Sequence, residues 1–205
     1  MSALIRVEDE VWVQVRPAAD VPASTHPDDL RRAAALPHWR ADRFLRGRGL
    51  LRELLRTTAP HLADADVVPD ERGQPRLAGH PRAGVSISHS EGQLACALAA
   101  VRPVGVDVQH PAPSVGAGLA RRLLRDHAPG VLALPPGEAA EAVAWVWTAQ
   151  EACAKAAGSG LAGRPWTVDV TPGARRGRWG AYRWISLRDH SDTPLSCAFG
   201  ATREG

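Results

Sequence analysis

The 205-residue chain holds a single lysine, Lys155, although Lys and Arg together number 25, so almost all of its positive charge is arginine. It also has one methionine, one tyrosine and two phenylalanines. This arginine-rich, methionine-poor composition fits a bias in the coding sequence, so the arginine count by itself says little about partners. The lone lysine is either an accident of that bias or a position that needs lysine, and composition does not decide between them. The three cysteines, Cys96, Cys153 and Cys197, form no C-x-x-C pair and have no His-rich companion, which argues against a disulfide framework and a zinc site. Cys96 and Cys197 lie in apolar stretches that suit buried free thiols in a reducing cytosol. No apolar run reaches the length of a membrane span, and Met1-Ser2-Ala3-Leu4 opens no signal-peptide core. The expectation is a cytoplasmic protein with no membrane partner.

Several catalytic signatures are also missing. There is no G-x-x-x-x-G-K-[ST] loop, no G-x-G-x-x-G after a strand, no G-x-S-x-G elbow and no H-E-x-x-H. The seven tryptophans do not cluster with arginines into an aromatic–basic stripe, so a single-stranded nucleic-acid surface is not expected.

What is present reads as an ordinary globular chain, 44% hydrophobic and 23% charged, of one domain or two small ones sharing a core. Val11 to Val15 alternates as a first strand ending near Pro17. Residues 28–55 carry a helical pattern broken near Pro37, and residues 69–75 are rich in turn residues. Val85 to His89 and Leu94 to Val101 read as a hairpin around Glu91-Gly92, followed by a short strand from Val104 to Val108. A loop over residues 111–118 leads to a short helix from Leu119 to Asp126 and a Pro/Gly-interrupted connection over residues 129–137. A long helix from about Glu138 to Ala157 follows, then strands at 166–170, 180–187 and 195–199. The order predicts an α+β protein of two halves, residues 1–103 and 104–205.

Three segments carry chemistry. On a helix, Trp147, Glu151 and Lys155 stack along one face before a Gly158-Ser159-Gly160 exit. A carboxylate there can hold a hard cation or take a proton, and an ammonium one turn on can meet a phosphate. Asp107 ends an apolar strand, where a buried carboxylate needs a partner. Gly84-Val85-Ser86-Ile87-Ser88-His89-Ser90 places a histidine at another strand end. Each alone has a plain structural reading: a solvated i,i+4 pair, a turn cap and a hydrogen-bonded histidine.

Together, in this order and spacing, the three resemble the Sfp-like 4'-phosphopantetheinyl transferases. That family shows a strand ending in Ser-His-Ser, a Gly-(Ile/Val)-Asp-(Ile/Val)-Glu strand, and a Trp-(Ser/Thr)-x-Lys-Glu-(Ala/Ser)-x-x-Lys helix ending in Gly-x-Gly-Leu. The resemblance runs from about Asp28 to Leu161. It implies two similar α/β halves related by a pseudo-twofold, with the active site between them. It implies a monomeric enzyme that moves the 4'-phosphopantetheine arm of coenzyme A onto a serine of an acyl or peptidyl carrier protein, releasing adenosine 3',5'-bisphosphate. Asp107 and Glu151 would hold a magnesium ion with help from Gln109. Asp107, Glu151 and Lys155 would form the catalytic set, with Glu151 the base and Lys155 on the pyrophosphate. Arg43, Arg72, Gln74, Ser88 and His89 would line the coenzyme A site beside Lys155, with Arg31 and Arg32 as weaker contacts. Leu119, Leu123 and Leu124 with Arg121, Arg122 and Arg125 are candidates for carrier docking, and the same leucines equally suit a core.

The chain departs from the pattern at three glutamines. Gln109 stands where glutamate is common, Gln150 where the helix motif often has lysine, and Gln74 where the loop often reads Gly-Lys-Pro. The first predicts weaker metal affinity, and the other two each remove a charge that could touch phosphate or carrier. They keep open a coenzyme A-binding protein with little transferase activity.

Overall fold

The computed structural model describes residues 3–202, and the side chains of Ala3 and Leu161 fall outside that description. Met1 and Ser2, and the side chain of the Leu161 that closes the Gly-x-Gly-Leu match, therefore lie outside it.

In chain order the elements begin with β1 (Ala3–Glu8), β2 (Val11–Pro17), α1 (Pro27–Ala33) and α2 (His38–Thr58). The ribbon β3 (Val67–Pro69) and β4 (Pro75–Leu77) precedes β5 (Gly84–Ser90), β6 (Gln93–Ala99) and β7 (Val104–Val108). Next come α3 (Ala117–Leu124), α4 (Ala128–Leu132) and α5 (Pro136–Ala156), then β8 (Arg176–Trp179), β9 (Tyr182–Ser186) and β10 (Leu195–Phe199).

Two antiparallel four-stranded sheets result, ordered β1-β2-β6-β5 and β7-β10-β9-β8. In both, one strand leads into helices and a later strand returns to pair beside it: β2 with β6, and β7 with β10. The side-chain period of two explains how one strand serves two cores. On β6, Leu94, Cys96 and Leu98 pack toward α2, while Ala95, Ala97 and Ala99 join a second cluster. That second cluster lies between the sheets and includes Val104, Val106 and Val108 of β7 and Leu195, Cys197 and Phe199 of β10. Alanines at this face let the sheets approach closely. A third cluster packs α3, α4 and α5 onto the second sheet.

Four sequence readings need correction. The first strand is β1, not Val11 to Val15; its alternation is weak because Leu4 is exposed while only Ile5 is fully buried. The connection over residues 129–137 contains α4, started by a proline in its first turn, where the missing N–H costs nothing. Residues 166–170 form no strand: Pro165–Thr167 is a 3₁₀ turn, and Val168 and Val170 are buried as single anchors in the core of α5. β8 was not expected, because Arg176-Gly177-Arg178-Trp179 has a single apolar residue, Trp179, and so no alternation to read.

Candidate active site

With Val104, Val106 and Val108 turned to the inter-sheet core, Gly105 and Asp107 turn to α5. Gly105 has to be glycine, since a Cβ there would stand 2.1 Å from the Ala152 carbonyl oxygen and 2.9 Å from Lys155 Cβ. This close approach sets Asp107 against the last turns of α5. Lys155 Nζ donates to Asp107 Oδ1 at 2.6 Å, and to Ser88 Oγ and the Val106 carbonyl at 3.1 Å each.

Ser88 is fully used. Its hydroxyl donates to Asp107 Oδ1 at 2.7 Å and accepts from Lys155 Nζ and from the Val108 N–H at 3.3 Å. A hydroxyl offers one donor and two acceptor positions, so none remains. Ser88 thus reaches the cleft as the residue that fixes Asp107 and Lys155.

Asp107 Oδ2 and Glu151 Oε1 are buried and have no hydrogen-bond partner. Burial, and then the charge of Asp107, raises the Glu151 pKa above the ordinary value of 4.5; Lys155 offsets part of the effect. Two orphaned carboxylate oxygens on residues that wall one cleft suit a hard cation, which takes oxygen ligands. Among the described residues no group of three His, Cys, Asp or Glu is placed to hold a metal ion, so such an ion would have to complete its shell from a ligand and water. Gln109, just past β7, lines the same cleft, with its amide donating to the His110 carbonyl at 2.9 Å.

The cleft is about 300 Å³ and is walled by Ser88, His89, Asp107, Gln109, Trp147, Glu151 and Lys155. Through Ile87 and His89 it adjoins a larger hollow of about 570 Å³. Arg32, Arg40, Arg43 and Arg48 line that hollow with no carboxylate among its walls. His89 stands exposed between the two. The protein packed around it, and then the charges of Arg43 and Lys155, hold its pKa below the ordinary 6.5. On the other side, Gln109 and Trp147 are shared with an apolar hollow of about 250 Å³ formed by Val115, Leu119, Leu123 and Val143.

The expected site residues divide by place. Asp107, Glu151, Lys155, Ser88, His89 and Gln109 meet in the central cleft, and Arg43 opens beside it. Arg72 and Gln74 do not. Arg72 Nη1 donates to the Gly158 carbonyl at 3.0 Å and Gln74 Nε2 to the Lys155 carbonyl at 2.6 Å, so both clasp the exit of α5. Asp70 shapes their loop by accepting from the N–H groups of Arg72 and Gln74 at 2.9 Å each. Gln150 faces away from the cleft: it is 0% exposed and donates to the Leu123 and Val168 carbonyls, so it is a core residue with no phosphate in reach. Arg31 and Arg32 pair with Asp28, although Arg32 still reaches the arginine-lined hollow. Leu123 and Leu124 are buried, leaving Leu119, 52% exposed, as the apolar candidate for docking. Arg122 stacks on Trp166 and Arg125 donates to its carbonyl.

Arg48 is the residue the sequence concealed. It sits five positions after Arg43 among surface-looking arginines, yet it is 6% exposed, lines the hollow, pairs through Nε with Asp29 at 3.7 Å and leaves Nη1 without a hydrogen-bond partner.

Residues 103–198 match the model of the 4'-phosphopantetheinyl transferase superfamily. No curated protein matches the chain. The matched span contains Asp107, Gln109, Glu151 and Lys155. Arg43, Arg48, Ser88 and His89 lie upstream of it, on the elements that close the cleft from the other side. Among the described residues, no helix is long and apolar enough to cross a membrane.

Proposed function

We propose that the chain transfers the 4'-phosphopantetheine arm of coenzyme A to a serine of an acyl or peptidyl carrier protein, with magnesium, at the seam between its two sheets. One observation carries this reading: three hollows, arginine-lined, carboxylate-bearing and apolar, adjoin in that order, each sharing residues with the next. Coenzyme A has a matching order of chemistry, with a phosphorylated nucleoside, a diphosphate and then an uncharged arm that bears a gem-dimethyl group beside its hydroxyl and amides. The shared connectivity of the two sheets supports reading them as a pseudo-twofold pair with the site between, residues 1–103 binding the nucleotide and 104–205 carrying the catalytic helix.

Asp107 and Glu151 would hold the magnesium ion, with Gln109 beside them as a neutral third donor. The ion supplies charge neutralisation on the diphosphate. Arg43 and Arg48 bind the anionic nucleotide end, where a planar guanidinium suits a phosphate. His89 adds a ring nitrogen as donor. Glu151, with its raised proton affinity, takes the proton from the carrier serine. The serine oxygen bonds to the β-phosphorus as the bond from that phosphorus to the bridging oxygen breaks, and adenosine 3',5'-bisphosphate leaves. Lys155 shifts from Asp107 toward the charge that develops on the departing group. Arg72 and Gln74 act at one remove by fixing the end of α5 that bears Lys155.

The test is to incubate the protein with magnesium, coenzyme A and a panel of apo carrier proteins and to read intact mass. A gain of one phosphopantetheine on at least one carrier, dependent on magnesium, is expected. Coenzyme A binding with no carrier modified across the panel would leave a binding protein in place of the enzyme.

A further inference from the structure

The seam between the sheets is held in an unusual way. β5 and β7 lie side by side but belong to different sheets and form no ladder with each other. Instead, alternate serines of β5 take the N–H groups that β7 turns away from β10. The Val106 N–H donates to Ser86 Oγ at 3.1 Å, Val108 to Ser88 Oγ at 3.3 Å and His110 to Ser90 Oγ at 2.9 Å. The Val106 and Val108 donors are buried and need partners, the His110 donor is exposed, and hydroxyls spaced two residues apart match the period of a strand edge.

The three rungs do different work. Ser86 is buried beneath the sheets, and Ser88 is saturated by Asp107 and Lys155. Ser90 lies at the open end, as the last residue of the Ser-His-Ser strand end, and no role was expected for it. The pairing of β7 with β10 ends at Val108, after which the Gln109 N–H reaches the Pro194 carbonyl at 3.0 Å. The corner formed by Gln109 and His110 is therefore pinned on one side by Pro194 and on the other by Ser90. Gln109, with Trp147 of α5, walls both the catalytic and the apolar hollow.

We propose that Ser90 is a positioning residue: its hydroxyl fixes the Gln109–His110 corner that forms the shared lip of the two hollows. Its kinetic consequence rests on the transferase reading above. The substrate crosses that lip between diphosphate and arm, so a displaced corner disturbs the reacting geometry more than it disturbs binding of the nucleotide end.

The experiment compares Ser90→Ala, Ser90→Thr and Ser86→Ala by amide hydrogen exchange and by steady-state carrier modification. Ser90→Ala should speed exchange at the His110 amide while Val106 and Val108 stay protected. It should lower kcat about tenfold with the KM for coenzyme A nearly unchanged, less than the roughly hundredfold cost of a 1 Å misplacement. Ser90→Thr, which keeps the hydroxyl, should restore both. Ser86→Ala should lower Tm without reproducing the kcat effect. Wild-type exchange at His110 in Ser90→Ala, failure of threonine to rescue, or an equal kcat loss in Ser86→Ala would overturn the proposal. If the wild-type protein modifies no carrier, the transferase reading falls, and exchange at His110 still decides the role of Ser90.

Discussion

The two helices of 21 residues, α2 and α5, pack on their sheets in the same manner but dispose of charge in opposite ways. On the α2 side the buried charges close on themselves. Asp29 accepts from Ser24 and Arg52, and Arg52 reaches the carbonyls of Ala63 and Ala65. What is left over there is cationic, because Arg48 and Arg52 share the one carboxylate of Asp29, at 3.7 and 3.1 Å, and Arg48 Nη1 has no hydrogen-bond partner. On the α5 side the buried polar groups that face inward are neutral, Thr148 and Gln150, and the charged pair Glu151 and Lys155 is held at the seam. What is left over there is anionic, Asp107 Oδ2 and Glu151 Oε1. One side lacks an anion and the other lacks a cation. A metal–diphosphate ligand carrying a phosphorylated nucleoside answers both at once.

Removing the anionic surplus should have the largest effect. Glu151→Gln should lower kcat/KM by about a hundredfold or more, as loss of a charge-stabilising group typically does. The same change should stabilise the ligand-free fold. A carboxyl whose folded pKa is raised loses stability as pH climbs from its ordinary 4.5 through the raised value, and glutamine has nothing to lose. Tm of Glu151→Gln should therefore exceed that of the wild type at pH 7 by a few degrees, with 1 kcal/mol worth about 2–4 °C in a chain of this size. The gap should close toward pH 4. Thermal melts at both pH values check this, and a lower Tm at pH 7 would mean that Glu151 is satisfied in a way its surroundings do not suggest.

Removing cationic surplus should act on binding. Arg43→Ala should raise the dissociation constant for coenzyme A about tenfold or more, the worth of a hydrogen bond to a charged group, and leave kcat nearly intact. Calorimetry beside steady-state kinetics separates the two. An effect on kcat alone would break the division of labour between the two sides.

A smaller change sharpens the anionic side. Gln109→Glu adds a third carboxylate to the central cleft and should lower the magnesium concentration for half-maximal rate about several-fold, since Mg²⁺ prefers charged oxygen ligands. A magnesium titration at fixed carrier concentration checks it, and an unchanged requirement would mean that the side chain at position 109 points away from the ion.

Gln150→Leu should leave activity unchanged. It strands two buried carbonyls, those of Leu123 and Val168, at a cost of about 1–3 kcal/mol in urea unfolding. The residue shows where motif alignment outruns geometry. Its neighbour Glu151 faces the cleft, and one step along a helix turns the side chain by roughly 100°, into the core. Strands with strong local signals were legible: β7 lies at Val104–Val108 as expected, and the Glu91-Gly92 hairpin is formed with both residues at positive φ. β1, β8 and α4 were not, because their sequences carry little periodic contrast and tertiary pairing decides them. In the cleft, the sequence named the residues on matching strand and helix ends but misjudged reach. Arg72 and Gln74 clasp α5 because the loop folds back on Asp70, which no spacing reveals. Arg48 was hidden among exposed arginines because its burial depends on α1 crossing α2. The Ser86, Ser88 and Ser90 alternation was visible, but its meaning required β7 to stand against it.

The central claim is that the diphosphate of coenzyme A sits on Lys155 at the seam, and the chain provides its own probe, since Lys155 is its only lysine. Amine-selective acylation can label only Lys155 and the chain's terminal amine. Lys155 starts in an ion pair with Asp107 and with its side chain 24% exposed, so it is reachable. Coenzyme A with magnesium should slow labelling of Lys155 by about tenfold while the terminal amine reacts as before, and Lys155→Ala should lose most carrier modification, with Lys155→Arg a partial rescue because its planar fork needs different space. Equal labelling of Lys155 with and without coenzyme A and magnesium, together with full activity of Lys155→Ala, would contradict the account.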